Sequence, residues 1–331
     1  MRVAVTGATG NLGSSIVPML AGADGVTEVV AIARRRPERL PARATFAVAD
    51  IARGDPGPAL AGSDALVHLA WAFQPTHDPL RTWDVNVRGG IATFEAAARA
   101  GVRTLVYVSS VGAYSPGAGR QVDETWPTHS LPTAAYGREK AYLERYLDAF
   151  ELRHPDVRVV RLRPCFVFQR PAASEQARIF AGPLLPRTLL RPGRLPVVPV
   201  PARLRFQAVH ADDVADAVRR VVTGEARGAY NLATDDVIDV AALGEVLGTR
   251  TVAVPESVTV LATEAAWRLR LVPADHELLR LLLSLPTLDS GRARRELGWQ
   301  PVRTGRQALR EALVGMAEGA GGSTPPLHSG R

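Results

Sequence analysis

The stretch Val3-Ala4-Val5-Thr6-Gly7-Ala8-Thr9-Gly10-Asn11-Leu12-Gly13 begins as an apolar strand, passes through three glycines, and runs into a helical pattern. Its spacing gives each glycine a task. Gly7 permits a tight turn, Gly10 lets the backbone approach a pyrophosphate, and Gly13 lets helix pack closely on strand. The start of the helix then presents free N–H groups to an anion. A glycine triplet alone is a weak signal, but the strand–loop–helix context makes this one a dinucleotide-binding loop. Thr9, Asn11 and Leu12 join the glycines as expected cofactor contacts.

Outward from the loop, apolar runs at 2–6, 27–33, 44–49, 64–70, 103–109 and 157–163 read as strands buried on both faces. Helical stretches lie between them at about 11–22, 79–100 and 133–153. The alternation predicts an α/β protein, a Rossmann-type doubly wound parallel sheet. Six prolines between Pro183 and Pro201 argue against long regular elements over 171–206. Helices resume at about 212–223, 239–247, 256–271, 275–284 and 303–317. The expected division is a cofactor domain over 1–165, with some later segments returning to it, and a smaller C-terminal substrate domain over 166–318. The tail 319–331, with Gly319-Ala320-Gly321-Gly322-Ser323-Thr324-Pro325-Pro326, is expected to be disordered.

Composition narrows the class. The chain has 331 residues, 46% hydrophobic and 22% charged, which suits a globular protein with a substantial core. No apolar run is long enough for a membrane span, and no signal peptide is visible. A single cysteine, Cys165, cannot form an internal disulfide or build a zinc site, so no metal is expected and the chain reads as cytoplasmic. The net charge of +7 invites a nucleic-acid reading. It is rejected because the arginines are dispersed and no recognition motif accompanies them.

The densest basic cluster, Arg34-Arg35-Arg36, follows the expected second strand. An NAD-specific site places Asp or Glu there, about 20 residues past the loop, to bind the ribose 2′-hydroxyl. Here Ala33 is followed by guanidinium groups, which bind a 2′-phosphate through charge-assisted forked bonds. Arg34 and Arg35 therefore predict NADP(H) as the preferred cofactor, with NAD(H) still possible. Tyr136-Gly-Arg-Glu-Lys140 supplies the chemistry. At i,i+4 the two side chains share one helix face, and the ammonium is expected to lower the pKa of the phenol, making it a general acid–base. Lys140 is the only lysine in a chain otherwise made basic by arginine.

Together these residues resemble the extended short-chain dehydrogenase/reductase family, also called the NAD-dependent epimerase/dehydratase family. Asp50-Ile51 matches the pair beside the adenine ring, and Asp64-Ala-Leu-Val-His-Leu69-Ala70 resembles the segment over the adenosine and nicotinamide ribose. Asp84-Val-Asn86-Val-Arg-Gly89 resembles the family's Asn-Val-x-Gly segment, with Gly90 in the place of the usual Thr. Val108-Ser109-Ser110-Val-Gly-Ala-Tyr114 matches the end of strand five, and Arg163-Pro164 and His210-Ala-Asp212-Asp213-Val214 match later landmarks. The resemblance implies that Tyr136 is the acid–base and that Ser110 hydrogen-bonds the substrate oxygen. Lys140 would tune the tyrosine and hold the nicotinamide ribose. Leu69, Ala70, Asp50, Ile51, Asn86 and Pro164 enter as cofactor contacts. A homodimer through the helices at about 79–100 and 133–153 is also implied.

The chain departs from the sugar-nucleotide members after the sixth strand. Phe166 stands in their Asn place, and Gln169 replaces a Gly. The following Ile179-Phe180-Ala181-Gly182-Pro183-Leu184-Leu185-Pro186 is apolar where a substrate lid is expected. The leading expectation is hydride transfer to or from a carbonyl or alcohol of a small, relatively apolar metabolite. A nucleotide-sugar epimerase or dehydratase with tightly held cofactor is the alternative, and a non-catalytic cofactor-binding protein is the third.

Overall fold

Strand residues that are apolar at every position bury both faces of a sheet, and the two faces here collect different helices. In the computed structural model, which describes residues 1–73, 76–180 and 191–329, seven parallel strands form the central sheet. They are β1 (Arg2–Thr6), β2 (Glu28–Ala33), β3 (Ala44–Val48), β4 (Ala65–His68), β5 (Thr104–Val108), β6 (Arg158–Pro164) and β7 (Gly228–Leu232). The spatial order is β3-β2-β1-β4-β5-β6-β7, so the chain reverses direction across the sheet between β1 and β4. That switch point opens the crevice in which doubly wound sheets hold ligands.

The helices follow from the alternation of the strands. Val3 and Val5 face Ile16 and Leu20 of α1 (Asn11–Gly22), together with Val214 and Val218 of a helix at Ala211–Thr223. Ala4, Val30 and Leu105 face the other way, onto Phe94 of α2 (Gly89–Arg99) and Leu143, Leu147 and Phe150 of α3 (Ala135–Arg153). Full burial of such a side chain contributes about 1.5–3 kcal/mol, so both layers are fastened along the whole sheet.

The expected helix at 79–100 is interrupted. An α turn at Pro79–Trp83 passes into a π-helical turn at Asp84–Arg88 before α2 begins. Further along lie α4 (Ala173–Phe180), α5 (His276–Ser284) and α6 (Gly305–Glu318). The segment expected as a lid falls largely at 181–190, outside the described residues. Among the described residues, no helix is long and apolar enough to cross a membrane.

The expected disorder at 319–331 is corrected over residues 319–329, which fold onto the body of the protein. Leu327 there is fully buried, and Ala320 O accepts hydrogen bonds from Ser174 N and Oγ. Burial of one leucine and several main-chain bonds outweigh the low propensity of a Gly/Pro-rich stretch.

Candidate functional site

In-register parallel pairing sets Thr6 beside Ile32 and His68, Ala33 beside Val48, and Val108 beside Leu162. Every expected site segment therefore leaves the sheet at the same edge. The glycine loop fits there because it lacks side chains. Gly7 has φ +68°, and a Cβ on it would lie 2.7 Å from Ala70 N. A Cβ on Gly13 would come within 2.5 Å of Ala8 and Gly7 backbone atoms, whereas one on Gly10 would meet only Gly7 O, at 3.5 Å. Gly7 and Gly13 are thus packing requirements, and Gly10 leaves an open backbone surface at the start of α1. Leu69 and Ala70 form the facing wall, with Leu69 N donating to Thr6 O.

Asn11 and Gln169 lock this wall to the chain beyond β6. Gln169 Nε2 donates to Asn11 O and Oδ1 and to Ser14 Oγ, while Ser15 Oγ donates to Gln169 Oε1. The glutamine in the place of the family's glycine is therefore a clamp. Pro164 ends β6, paired in register with Leu232. Arg34 and Arg35 project into solvent beyond β2, and Ile51 is buried after β3, beside Asp50. Thr9 is buried, and its carbonyl accepts a hydrogen bond from Thr324.

Asn86, expected among the cofactor contacts, is bonded to the loop after β4 and to α3. Its Nδ2 donates to Ala72 O (2.9 Å) and Glu139 Oε2 (2.6 Å), and its Oδ1 accepts from Ala72 N (2.6 Å). One amide hydrogen and the amide oxygen hold Ala72 in the loop after β4, and the other amide hydrogen goes to Glu139 of α3, so the side chain positions that loop against the helix. Glu139 also accepts from Thr82 Oγ1, and burial raises its carboxyl pKa.

Tyr136 and Lys140 occupy successive turns at the start of α3. Lys140 Nζ donates to Val108 O at 3.0 Å and lies 3.7 Å from the centre of the Trp71 ring. Burial lowers the Lys140 pKa from 10.5 to about 7, against the opposing pull of the Glu144 and Glu139 carboxylates. Tyr136 packs against Trp71 and Phe73 at ring separations of 5.7 and 5.0 Å. Its pKa is raised by burial, with the Ser110 hydroxyl pulling it down. This reverses the lowering expected from Lys140, because desolvation of the phenol outweighs the influence of its neighbours.

Ser110, which accepts from Gly112 N, stands against the same ring. A Cβ on Gly112 would lie 2.9 Å from Tyr136 Cε1 and 3.5 Å from Ser110 Oγ, so the pair can approach only because residue 112 is glycine. Beside Tyr136 a narrow cleft, with a cavity volume of about 30 Å³, is lined by Trp71, Phe73, Thr82, Glu139 and Leu278, among others. Trp71, Phe73, Gly112 and Glu139 are site residues that motif reading missed. Gly112 alone carried a sequence signal, from its place two residues after Ser110.

Comparison with known proteins gives three kinds of likeness. The model of the NAD dependent epimerase/dehydratase family matches residues 3–233. Sterol demethylase protein B of Methylococcus capsulatus is 30% identical over 347 residues, covering 96% of this chain and 99% of that protein. An uncharacterized protein of Mycobacterium tuberculosis is 27% identical across 94% of this chain, which spans only 29% of that relative's length. In structure, a UDP-glucose 4-epimerase of Thermotoga maritima solved with UDP-glucose superposes with a TM-score of 0.73 at 20% identity, covering 96% of this chain and 99% of that one. That likeness concerns the fold.

One buried group on this edge makes stability depend on pH. The Thr6 hydroxyl, which accepts from Leu69 N, pairs with His68 Nδ1 at 2.9 Å. Burial first, and the Lys140 ammonium second, lower the His68 pKa from 6.5 to about 3. Between those values the unfolded chain takes up a proton that the folded protein refuses. Stability therefore falls as pH drops through this window, by up to about 1.4 kcal/mol per pH unit. Urea unfolding of wild type should lose stability more steeply from pH 6.5 to 4 than that of His68→Asn, which retains an acceptor for Thr6. Parallel profiles would rule out His68 as the source.

Proposed function

Because the chain belongs to the NAD-dependent epimerase/dehydratase family, we propose that it is an oxidoreductase acting through Ser110, Tyr136 and Lys140. Its substrate is the carbonyl or alcohol of a small, relatively apolar metabolite. The observation that carries this reading is the cleft beside Tyr136, whose apolar walls include Trp71, Phe73 and Leu278. Phe166, in the place of the sugar-nucleotide members' Asn, packs edge-on against Phe206 at 5.3 Å. It offers a sugar nothing to hydrogen-bond. The likeness to a protein named for a sterol supports the same substrate class.

The residues fit a dinucleotide. Gly10 leaves its side of the loop open, and no acid stands in the first turn of α1 to oppose a pyrophosphate. When bound, the nicotinamide supplies or accepts the hydride. Tyr136 Oη gives its proton to the substrate oxygen in reduction and takes it back in oxidation, while Ser110 Oγ holds that oxygen. Lys140, fixed by Val108 O, would hold the ribose through its remaining N–H groups and favours the phenolate when charged. The exposed arginines 34 and 35 favour NADP(H) over NAD(H). The second reading, a nucleotide-sugar epimerase, is supported by the fold of the Thermotoga maritima enzyme. It predicts turnover of UDP-glucose without net oxidation or added cofactor.

Three experiments test the proposal. With NADPH and a panel of apolar ketones, Tyr136→Phe should abolish reduction and leave cofactor affinity nearly unchanged, whereas Lys140→Ala should damage both. Retention of more than about a tenth of activity, a barrier change under ~1.4 kcal/mol, would remove Tyr136 as the acid–base. In binding titrations, Arg34→Ala with Arg35→Ala should weaken NADPH roughly 10–1,000-fold, at about 1.5–3 kcal/mol per charge-assisted bond. NADH binding should barely change, and equal loss of both cofactors would defeat the NADP assignment. The same reading gives a homodimer through the helices at 79–100 and 133–153, where Leu80, Tyr142 and Leu152 are exposed. A monomer in sedimentation velocity would exclude it.

A further inference from the structure

The segment that follows α6 crosses the phosphate-binding loop. After Gly319 closes the helix, Ala320 is tied to Ser174 of α4. Gly322 N then donates to Leu327 O and Leu327 N to Thr324 O, closing a small loop around the buried Leu327 side chain. From this loop Thr324 Oγ1 donates to Thr9 O at 2.7 Å. Arg178 of α4 donates to Pro326 O, and His328 Nε2 approaches Glu38 Oε1 at 3.6 Å. One anchor is thus on the glycine loop and another lies just beyond Arg34–Arg36. The glycines here are a steric requirement, since a Cβ on Gly321 would lie 2.3 Å from Ser329 N.

We propose that residues 319–329 form a strap that completes the dinucleotide site by fixing the backbone of the glycine loop at Thr9. The inference rests on the cofactor reading above. The hydrogen bond lands on the peptide that joins Thr9 to Gly10, the residue that leaves the open surface. A loop already ordered before binding loses less freedom when the dinucleotide arrives, so the strap raises affinity without touching the ligand's reacting end. By reciprocity, a bound dinucleotide must hold the strap more firmly in place. Ser174 and Arg178 extend the same linkage to α4, so the helix and the glycine loop are held by one segment.

Three measurements test this. Thr324→Val removes the hydroxyl and keeps the packing around Leu327; it should weaken both NADPH and NADH by roughly three- to tenfold, the range of one net hydrogen bond. Deletion of residues 320–331 should weaken both by more than Thr324→Val does. Hydrogen–deuterium exchange of the 320–329 peptide in the intact protein should slow when NADPH is added. Unchanged dinucleotide affinity in Thr324→Val, or exchange that ignores the cofactor, would overturn the strap even if the deleted protein fails to fold. A wild type that binds neither dinucleotide would overturn the cofactor reading as well. A wild type that binds tightly but is indifferent to either variant would overturn the strap alone.

Discussion

The carboxylate of Glu144 is the constraint around which the candidate site is assembled. It is fully buried, and Arg163 grips it with two parallel bonds of 3.0 Å, Nε to Oε1 and Nη2 to Oε2. Burial pushes its pKa up, and Arg163, with help from Ser109 and Arg161, more than reverses this, so the group stays ionised. The pair joins α3 to β6. Arg163 also donates to Tyr114, whose hydroxyl donates to Asn231 on β7. The tyrosine helix, the segment after Ser110 and the last two strands thus meet at one ion pair. Losing Glu144 would leave Arg163 buried without its carboxylate, at a cost of about 3–5 kcal/mol, whereas Glu144 has a second guanidinium, Arg161, at 3.4 Å. One turn before Glu144 sits Lys140, whose charged form the same carboxylate favours.

The parts of the fold that depend on apolar periodicity were legible. Strands one, two, four, five and six follow apolar runs that pack on both faces of the sheet, and the helices at 11–22 and 133–153 follow their own apolar faces. The run at 44–49 also forms a strand, but at the sheet edge, where none of its residues is fully buried and Val48 is exposed. The seventh strand was not legible, because Gly228-Ala-Tyr-Asn-Leu232 is no apolar run. Its buried Asn231 is acceptable only because Glu124, Val122, Asp289 and Tyr114 all bond to it. The π turn at Asp84–Arg88 was equally hidden. One extra residue per turn leaves the apolar face nearly intact while redirecting Asn86 toward Ala72 and Glu139.

At the site, motif spacing located the glycine loop, Ser110, Tyr136 and Lys140, because their geometry is local to one loop, one strand end and one helix. It could not reveal Trp71 against the lysine, Glu139 at the rim of the cleft, or the partner of Thr9. Those contacts join residues far apart in the chain. The segment 319–329 shows the difference most sharply. Its glycines and prolines describe an unconstrained chain when considered alone, whereas beside Thr9, Ser174 and Arg178 they are what permits a close fit.

Lys140 also has a consequence for the surface. It is the only side-chain amine in the sequence, and only 5% of it is exposed. The remaining basic side chains are arginines and a few histidines, and guanidinium groups keep their charge at any pH a protein tolerates. The exterior therefore offers no lysine to acylating reagents or to modifications that require one. An amine-acylating reagent meets two amines, the exposed α-amine of Met1 and the buried Lys140. Once the N-terminal product is set aside, labelling at Lys140 measures whether its surroundings are open.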